Sequence, residues 1–273
     1  MQQAATDAGI RLRPHAKTHK SANIARWQLD TGAIGITVAK VGEAEVFADH
    51  GVTDIRIAYP VAPSTVPRVL ELMERTKLSI LVDNASVAKC WSDEMETVQR
   101  RLDVLVKVDV GFHRCGINPK SPETIAFVTS IASLPGLRLR GLLSHAGQSY
   151  NAQSEDEVER IAREESILLN QLADGARAAG ARIDEISVGS TPTARFSLRE
   201  NAVTELRPGN YVFFDLTQVA LGTACIEQCA LNVWSTVVSR PTADRLILDA
   251  GSKTLSSDHA RGPNANPGFG AIR

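Results

Sequence analysis

The residues best equipped for chemistry stand near the start of the chain, in Arg13-Pro14-His15-Ala16-Lys17-Thr18-His19-Lys20. A lysine amine attacks a carbonyl only when neutral, and burial or neighbouring cations disfavour its ammonium form. Lys17, set among two histidines and further basic residues, is a candidate for a Schiff base with a carbonyl substrate or cofactor. Taken alone, the octapeptide reads equally as a basic surface loop. Four later segments also carry polar groups and glycines: Asp109-Val110-Gly111-Phe112-His113-Arg114, Ser144-His145-Ala146-Gly147, Gly189-Ser190-Thr191-Pro192-Thr193 and Arg207-Pro208-Gly209-Asn210-Tyr211. The last two offer backbone amides, hydroxyls and absent side chains, which suit an anion such as phosphate. They are also ordinary turn sequences.

The elements that must position these segments alternate. Strand-like runs cover residues 10–16, 34–39, 54–59, 78–82, 104–110, 137–144 and 185–188, with an eighth near Arg207. Helical patterns fall between them at 21–31, 41–50, 64–76 (with Ser64 as cap), 86–101, 121–133 and 155–179. Apolar strands separated by helices form parallel sheets. Eight such steps predict a (β/α)8 barrel of the TIM type. A doubly wound open sheet is the competitor, but no Gly-x-Gly-x-x-Gly turn follows an early strand.

Every chemistry-bearing segment then sits at the C-terminal end of a strand, where barrels of this kind place their active sites. Lys17 ends strand one, Tyr59 strand three, Asp109 to Arg114 strand five and His145 strand six. The Gly189-Ser190-Thr191 turn follows strand seven and the Gly209-Asn210-Tyr211 turn strand eight, the usual place for a phosphate in this fold. Tyr150, in the loop after strand six, is expected to reach over the pocket. Tyr59 is expected to pack, and His113, alternating away from Arg114, to lie outside the site. Arg114 has a rival reading as a partner of Asp109, and His145 as a buried structural histidine.

After residue 210 the pattern changes. Strands are expected at 211–214, 231–239 and 245–249, with no helices between. The predicted organisation is a barrel over residues 1–212 and an incomplete C-terminal β-domain over 213–273, the chain being cut at both ends and Arg273 lying in a loop.

With 43% apolar and 22% charged residues, the chain is of globular type, and a net charge of −1 argues against a nucleic-acid or membrane partner. No apolar run could span a bilayer, and the first residues are not a secretion signal. Cys90, Cys115, Cys225 and Cys229 make no metal spacing and are expected to be free thiols in a reducing cytoplasm.

An amine at strand one facing an anion cradle at strands seven and eight corresponds to the two ends of pyridoxal phosphate. On these motifs, with Asp249-Ala250-Gly251-Ser252-Lys253, the chain resembles the alanine racemase-like, fold-type III pyridoxal-phosphate enzymes. It is most similar to the branch of D-threonine aldolases, D-serine dehydratases and 3-hydroxyaspartate dehydratases. The resemblance implies that Lys17 holds the cofactor, His145 lies on its ring and Arg114 sits near its phenolic oxygen and the substrate carboxylate. It implies that Arg207 approaches the ring nitrogen and that Gly189, Ser190, Thr191, Gly209, Asn210 and Tyr211 hold the phosphate. An arginine keeps its proton, so the ring nitrogen would stay unprotonated.

The activity implied is a lyase acting on a β-hydroxy D-amino acid, most like D-threonine aldolase. The alternatives are D-serine or 3-hydroxyaspartate dehydratase, an amino-acid racemase, a non-catalytic pyridoxal-phosphate carrier, or a barrel aldolase using Lys17 without cofactor. Members of the branch also use a divalent metal, zinc or manganese. The ligand pattern that the resemblance implies, His-x-Cys or His-x-Asp, does not occur after Lys253, so the metal ligands are expected beyond Arg273. A homodimer is implied.

Overall fold

Parallel strands β1 (Arg11–Leu12), β2 (Ile36–Val38), β3 (Asp54–Pro60), β4 (Lys77–Val82), β5 (Leu102–Lys107), β6 (Leu137–Leu143), β7 (Glu185–Val188) and β8 (Glu205–Leu206) build the body of the computed structural model. It describes residues 1–263, 265 and 268–272. The strands pair in the order β1-β8-β7-β6-β5-β4-β3-β2. The ring closes between β1 and β2, where Ile34 N–H donates to Leu12 O (3.0 Å), Thr37 N–H to Pro14 O (2.8 Å) and Ala16 N–H to Thr37 O (2.8 Å). The expected (β/α)8 barrel is present.

Side chains alternate across each strand. One set, including Ile36, Ile55, Ile80, Val104, Leu142 and Ile186, packs under the surrounding helices in the main core. The other set points into the barrel. There Leu81, Leu105 and Leu143 of β4, β5 and β6 form a small separate apolar cluster. Beside them are buried Arg13, Arg56, Ser79, Glu185, Ser187, Glu205 and Arg207. Half of the interior is therefore ionic.

Local capping places the helices. Ser21 accepts from Ile24 N–H (3.4 Å), Asn84 from Val87 N–H (3.1 Å) and Ser154 from Glu157 N–H (3.1 Å). The helix Glu155–Ala178 carries Glu165 on its buried side. Ser64 caps nothing: a 3-10 turn, Pro63–Thr65, precedes the helix Val66–Arg75, and Thr65 bonds back to Ala62 O (2.8 Å).

Three further expectations fail. Regular β1 pairing stops at Leu12, since Pro14 has no N–H to donate, although Arg13 and His15 still donate to Leu206 O (2.9 Å) and Pro208 O (3.0 Å). Residues 211–214 are not a strand. A 3-10 turn, Asn210–Val212, leads into the helix Leu216–Ala220, which Asp215 caps by accepting from Gln218 N–H (3.0 Å). Beyond it lies an antiparallel pair, β9 (Val237–Thr242) and β10 (Arg245–Leu248), so the strand expected at 231–239 begins later. The expectation for Arg273 lies outside the described residues.

Candidate active site

Lys17 stands on the barrel rim after β1, open to the mouth yet with protein on most sides. Burial lowers its pKa, Arg114 and Arg207 lower it further, and Glu43 opposes them. The cations that act on Lys17 are thus not its sequence neighbours. Arg13 turns into the barrel, where it pairs with Glu205 and Asp54. Lys20 pairs with Glu43 (3.4 Å), and His19 Nδ1 accepts from Ser21 N–H (3.0 Å). The expected local cluster is replaced by arginines from the ends of β5 and β8.

The loop after β5 explains how Arg114 is freed. Asp109 accepts from Gly111 N–H (3.0 Å), His113 N–H (3.0 Å) and His113 Nδ1 (3.0 Å). Burial pushes its carboxyl up, but these bonds hold it below its ordinary pKa. His113 adopts φ 54°, so the chain folds back and Asp109 is occupied by His113, not Arg114. The Arg114 guanidinium lies over the rings of Phe112 (5.4 Å) and Tyr59 (5.8 Å). Among the described residues it has no carboxylate partner. Tyr59 does more than pack, since it backs the arginine.

His145 Nδ1 is 2.5 Å from Gly189 O; a carbonyl only accepts, so Nδ1 carries the proton and Nε2 keeps its lone pair. Burial, then Lys17, Lys107 and Arg114, push its pKa down to about 3 against the help of that carbonyl. Phe112 meets the ring edge-on at 5.9 Å. A Cβ on Gly147 would come within 2.6 Å of Phe112, which is why glycine stands there.

The two turns meet the same rim. A Cβ at Gly209 would lie 2.9 Å from both His15 O and Thr18 Oγ1, so the β8 turn abuts the segment carrying Lys17. A Cβ at Gly189 would meet the Arg207 backbone at 3.0 Å. Both glycines are thus required by strand-to-strand approach. Ser190 Oγ is used within the turn, bonded to Thr193 Oγ1 (2.8 Å) and Ser149 Oγ (3.0 Å). Asn210 Nδ2 donates to Asp215 (2.5 Å), and Tyr211 O–H accepts from Gln28 Nε2 (2.9 Å). Burial pushes that phenol up to about 12.

The groups left for a ligand are the backbone amides of Ser190, Gly209 and Asn210, which donate to nothing among the described residues. With them stands Thr191 Oγ1, buried and, among the described residues, met only loosely by the Tyr150 phenol. Tyr150 lies against Thr191, and burial raises its pKa. This cradle fits a phosphate ester, and the amine beside it fits an aldehyde. Pyridoxal phosphate, the group combining both, suits the residues present.

Several side chains at this site had gone unread in the sequence. His15 is hemmed in by Lys17, Arg207 and Arg114 and by the neutral ring of His145, and burial, then the three cations, hold its pKa well below the usual histidine range. Lys107, buried at the end of β5, is pushed down to about 8 by burial and then by Arg207. Glu165 is buried beneath, its pKa raised by burial. The available signal was alternation: Asp103 and Lys107, Glu185 and Ser187, Glu205 and Arg207 all occupy inward positions of apolar strands.

Among the described residues no group of three or more His, Cys, Asp or Glu could hold a metal ion, and no helix is long and apolar enough to cross a membrane. Cys90, Cys115 and Cys225 are free thiols.

Known proteins resemble this chain along most of its length. Residues 1–217 match the family described as alanine racemase, N-terminal domain, and residues 230–273 the one described as "Putative serine dehydratase domain". The D-threo-3-hydroxyaspartate dehydratase of Delftia sp. (strain HT23) is 38% identical over 94% of this chain and 68% of its own length. Its solved structure superposes with a TM-score of 0.89 over 94% of this chain and 69% of that one. A variant of that enzyme has been solved in a metal-free form. The D-serine dehydratase of Dictyostelium discoideum is 31% identical over 100% of this chain and 74% of its own length. The D-threonine aldolase of Arthrobacter sp. is 35% identical over 94% and 69%.

Proposed function

Because this chain belongs to the alanine racemase N-terminal-domain family, we propose that its barrel mouth is the active site of a pyridoxal-phosphate-dependent lyase for β-hydroxy D-amino acids. One observation carries the reading. An amine with a lowered pKa, Lys17, shares a rim with two turns in which the amides of Ser190, Gly209 and Asn210 have no partner among the described residues and one buried hydroxyl is met only by Tyr150.

Lys17 would hold the coenzyme, and the amides of Ser190, Gly209 and Asn210 with Thr191 and Tyr150 would hold its phosphate. Gly189 lets the turn close. Tyr211 and Asn210 would contribute through the backbone, their side chains being engaged elsewhere. When bound, the coenzyme supplies an aldehyde for the substrate amine and a ring that accepts electron density from the α-carbon.

The protein's own groups do the rest. Arg114, free of carboxylates and set by two aromatic rings, binds the substrate carboxylate. Lys17 Nζ, whose lowered pKa leaves the neutral amine accessible, takes a proton from Cα or from the β-hydroxyl. His145 presents an unprotonated Nε2 and a flat neutral ring without adding charge. Arg207, although pushed down to about 10 by burial, stays protonated at neutral pH and would hold the ring nitrogen by donating to it.

Removal of the β-hydroxyl proton with Cα–Cβ cleavage gives glycine and an aldehyde. Loss of the Cα proton and the β-hydroxyl, together one water, leaves an enamino acid, which tautomerises to the imino acid and takes up a water to give ammonia and a 2-oxo acid. Identity of 38% to a dehydratase favours this second outcome as the alternative. We further propose a homodimer in the cytoplasm and a divalent metal, zinc or manganese, as a second cofactor.

The test is reduction with borohydride in the presence of pyridoxal phosphate, followed by peptide mass analysis. The label is expected on Lys17; a label elsewhere, or none, rejects the reading. Incubation with D-threonine, D-serine and D-threo-3-hydroxyaspartate, scored for aldehyde against ammonia, then separates cleavage from dehydration.

A further inference from the structure

Below the mouth the barrel interior is closed by a ring of ions. Arg56 of β3 donates Nε to Ser79 Oγ (3.0 Å), Nη2 to Glu185 Oε2 (2.7 Å) and Nη1 to Glu205 Oε1. Arg13 of β1 donates Nε to Glu205 Oε2 (2.8 Å) and Nη1 to Asp54. Glu205 is fully buried and both its oxygens are claimed.

Two residues further along the same chain direction, Arg207 is also buried, yet among the described residues no carboxylate touches it. Its Nη1 donates to Ser187 Oγ (2.6 Å), and its Nη2 to the carbonyl of Ser144. Ser187 in turn donates its one proton to Glu205 Oε1. A hydroxyl that has committed its proton can only present a lone pair elsewhere. Glu205 therefore sets the Ser187 rotor, and Ser187 sets the Nη1 corner of Arg207. Nε has no acceptor among the described residues and is the edge left for a ligand. The far side is built alike: Ser144 Oγ donates to Glu165 Oε1 (2.5 Å) while its carbonyl holds Nη2.

We propose that Ser187 is a positioning residue, a hydroxyl relay that ties Arg207 to Glu205 and turns its Nε edge toward the coenzyme. This rests on the reading that Arg207 meets the ring nitrogen. The intervening hydroxyl matters because electrostatic attraction is strong in a poorly polarisable interior. A carboxylate placed directly on Arg207 would hold its donors for itself. One hydroxyl away, the anion orients the guanidinium and leaves an edge free.

The experiment compares wild type, Ser187→Ala and Ser187→Thr, each reconstituted with pyridoxal phosphate. Three quantities are read: borohydride labelling of Lys17, the pH midpoint of the coenzyme's visible absorbance, and kcat separately from KM. Ser187→Ala is expected to label at Lys17 and to stay folded, since Glu205 keeps both Arg13 and Arg56, although it melts below the wild type because two buried hydrogen bonds are lost. Its absorbance midpoint should move by about half a pH unit or more. Its kcat should fall about 10-fold with KM within about 2-fold. Ser187→Thr, which keeps the hydroxyl, should restore both values.

An unchanged midpoint and kcat in a labelled Ser187→Ala protein overturns the relay while leaving the lyase reading intact. So does a Ser187→Thr protein as impaired as the alanine variant, since packing would then explain the effect. Absence of the Lys17 label in wild type overturns the lyase reading first. Should Ser187→Ala misfold, Ser187→Cys, nearly isosteric with a weaker donor, carries the same comparison, and a wild-type midpoint there counts against the relay.

Discussion

Two layers of charge lie inside one barrel and are arranged oppositely. On the floor, Arg13, Arg56, Glu185 and Glu205 are buried, and each has a partner of opposite sign. At the mouth, among the described residues, none of Lys17, Lys107, Arg114 and Arg207 makes an ion pair, and two histidines are held neutral beside them. Burying a charge is costly unless it is paired. Cancellation on the floor therefore serves the fold, whereas surplus positive charge at the mouth awaits anions. A phosphate and a substrate carboxylate supply them.

The largest expected contrast is between Lys17→Ala and Glu205→Gln. The first should reduce turnover about 1000-fold or more while the melting temperature holds or rises, since an unpaired cation is removed. The second should lower stability by about 3–5 kcal/mol in urea unfolding, because Arg13 and Arg56 lose a shared anion. If Glu205→Gln proves as stable as wild type, the floor is not a structural ion cluster. If Lys17→Ala keeps turnover, the mouth is not organised around this amine.

Next is Arg114. Arg114→Gln should cost about 100-fold in kcat/KM through loss of the charged contact to the carboxylate. It should also alter coenzyme attachment to the apoprotein. Arg114 depresses the Lys17 pKa, so its removal raises that pKa, and the pH at which attachment becomes half-maximal should move upward. Stopped-flow absorbance against pH measures this. A downward or absent movement breaks the claimed coupling.

The contrast between floor and mouth also shows what could be read from the chain alone. Alternating apolar strands and helices predict the barrel, and the ends of those strands locate Lys17, Arg114, His145 and both glycine turns. What escaped was contact between distant segments. The octapeptide supplies its own cations, yet in the fold Arg13 turns inward and Arg114 and Arg207 arrive from β5 and β8. Lys107 and Glu165 were hidden because a single charge in an apolar strand or long helix does not announce which face it takes. Residues 211–214 misled because β-branched and aromatic content outweighed the capping signal of Asp215, which immediately precedes the short helix Leu216–Ala220.

A smaller effect tests the neutral histidines. The folded pKa of His145 lies far below its unfolded value, so the unfolded chain takes up a proton that the native chain refuses. The stability this group contributes is present above about pH 6.5 and is lost as pH falls toward about 3. Between pH 6.5 and 4.5, above the range of ordinary carboxylates, His145→Asn should flatten the fall of stability by up to about 1.4 kcal/mol per pH unit. Urea unfolding at several pH values in that window gives the slope. An unchanged slope would mean that the ring is already solvated enough to charge in the native state.

The finest division falls within one turn, between adjacent hydroxyls. Ser190 Oγ is fully engaged by Ser149 and Thr193, whereas buried Thr191 Oγ1 makes no well-formed hydrogen bond among the described residues, only a loose contact with the Tyr150 phenol. The paired group should serve the fold and the unpaired one the ligand. Ser190→Ala is expected to cost about 1–2 kcal/mol of stability, since it strands its partners, with pyridoxal phosphate affinity changed less than about 3-fold. Thr191→Val, of equal shape, should leave the apoprotein as stable or slightly more so, because a buried unpaired hydroxyl disappears. Its affinity for pyridoxal phosphate should weaken about 5-fold, the equivalent of about 1 kcal/mol for one lost hydrogen bond. Melting temperature and equilibrium titration separate the two. If Thr191→Val destabilises the apoprotein and spares affinity, its hydroxyl belongs to the scaffold, and the rule that unpaired groups mark the ligand fails where it is most local.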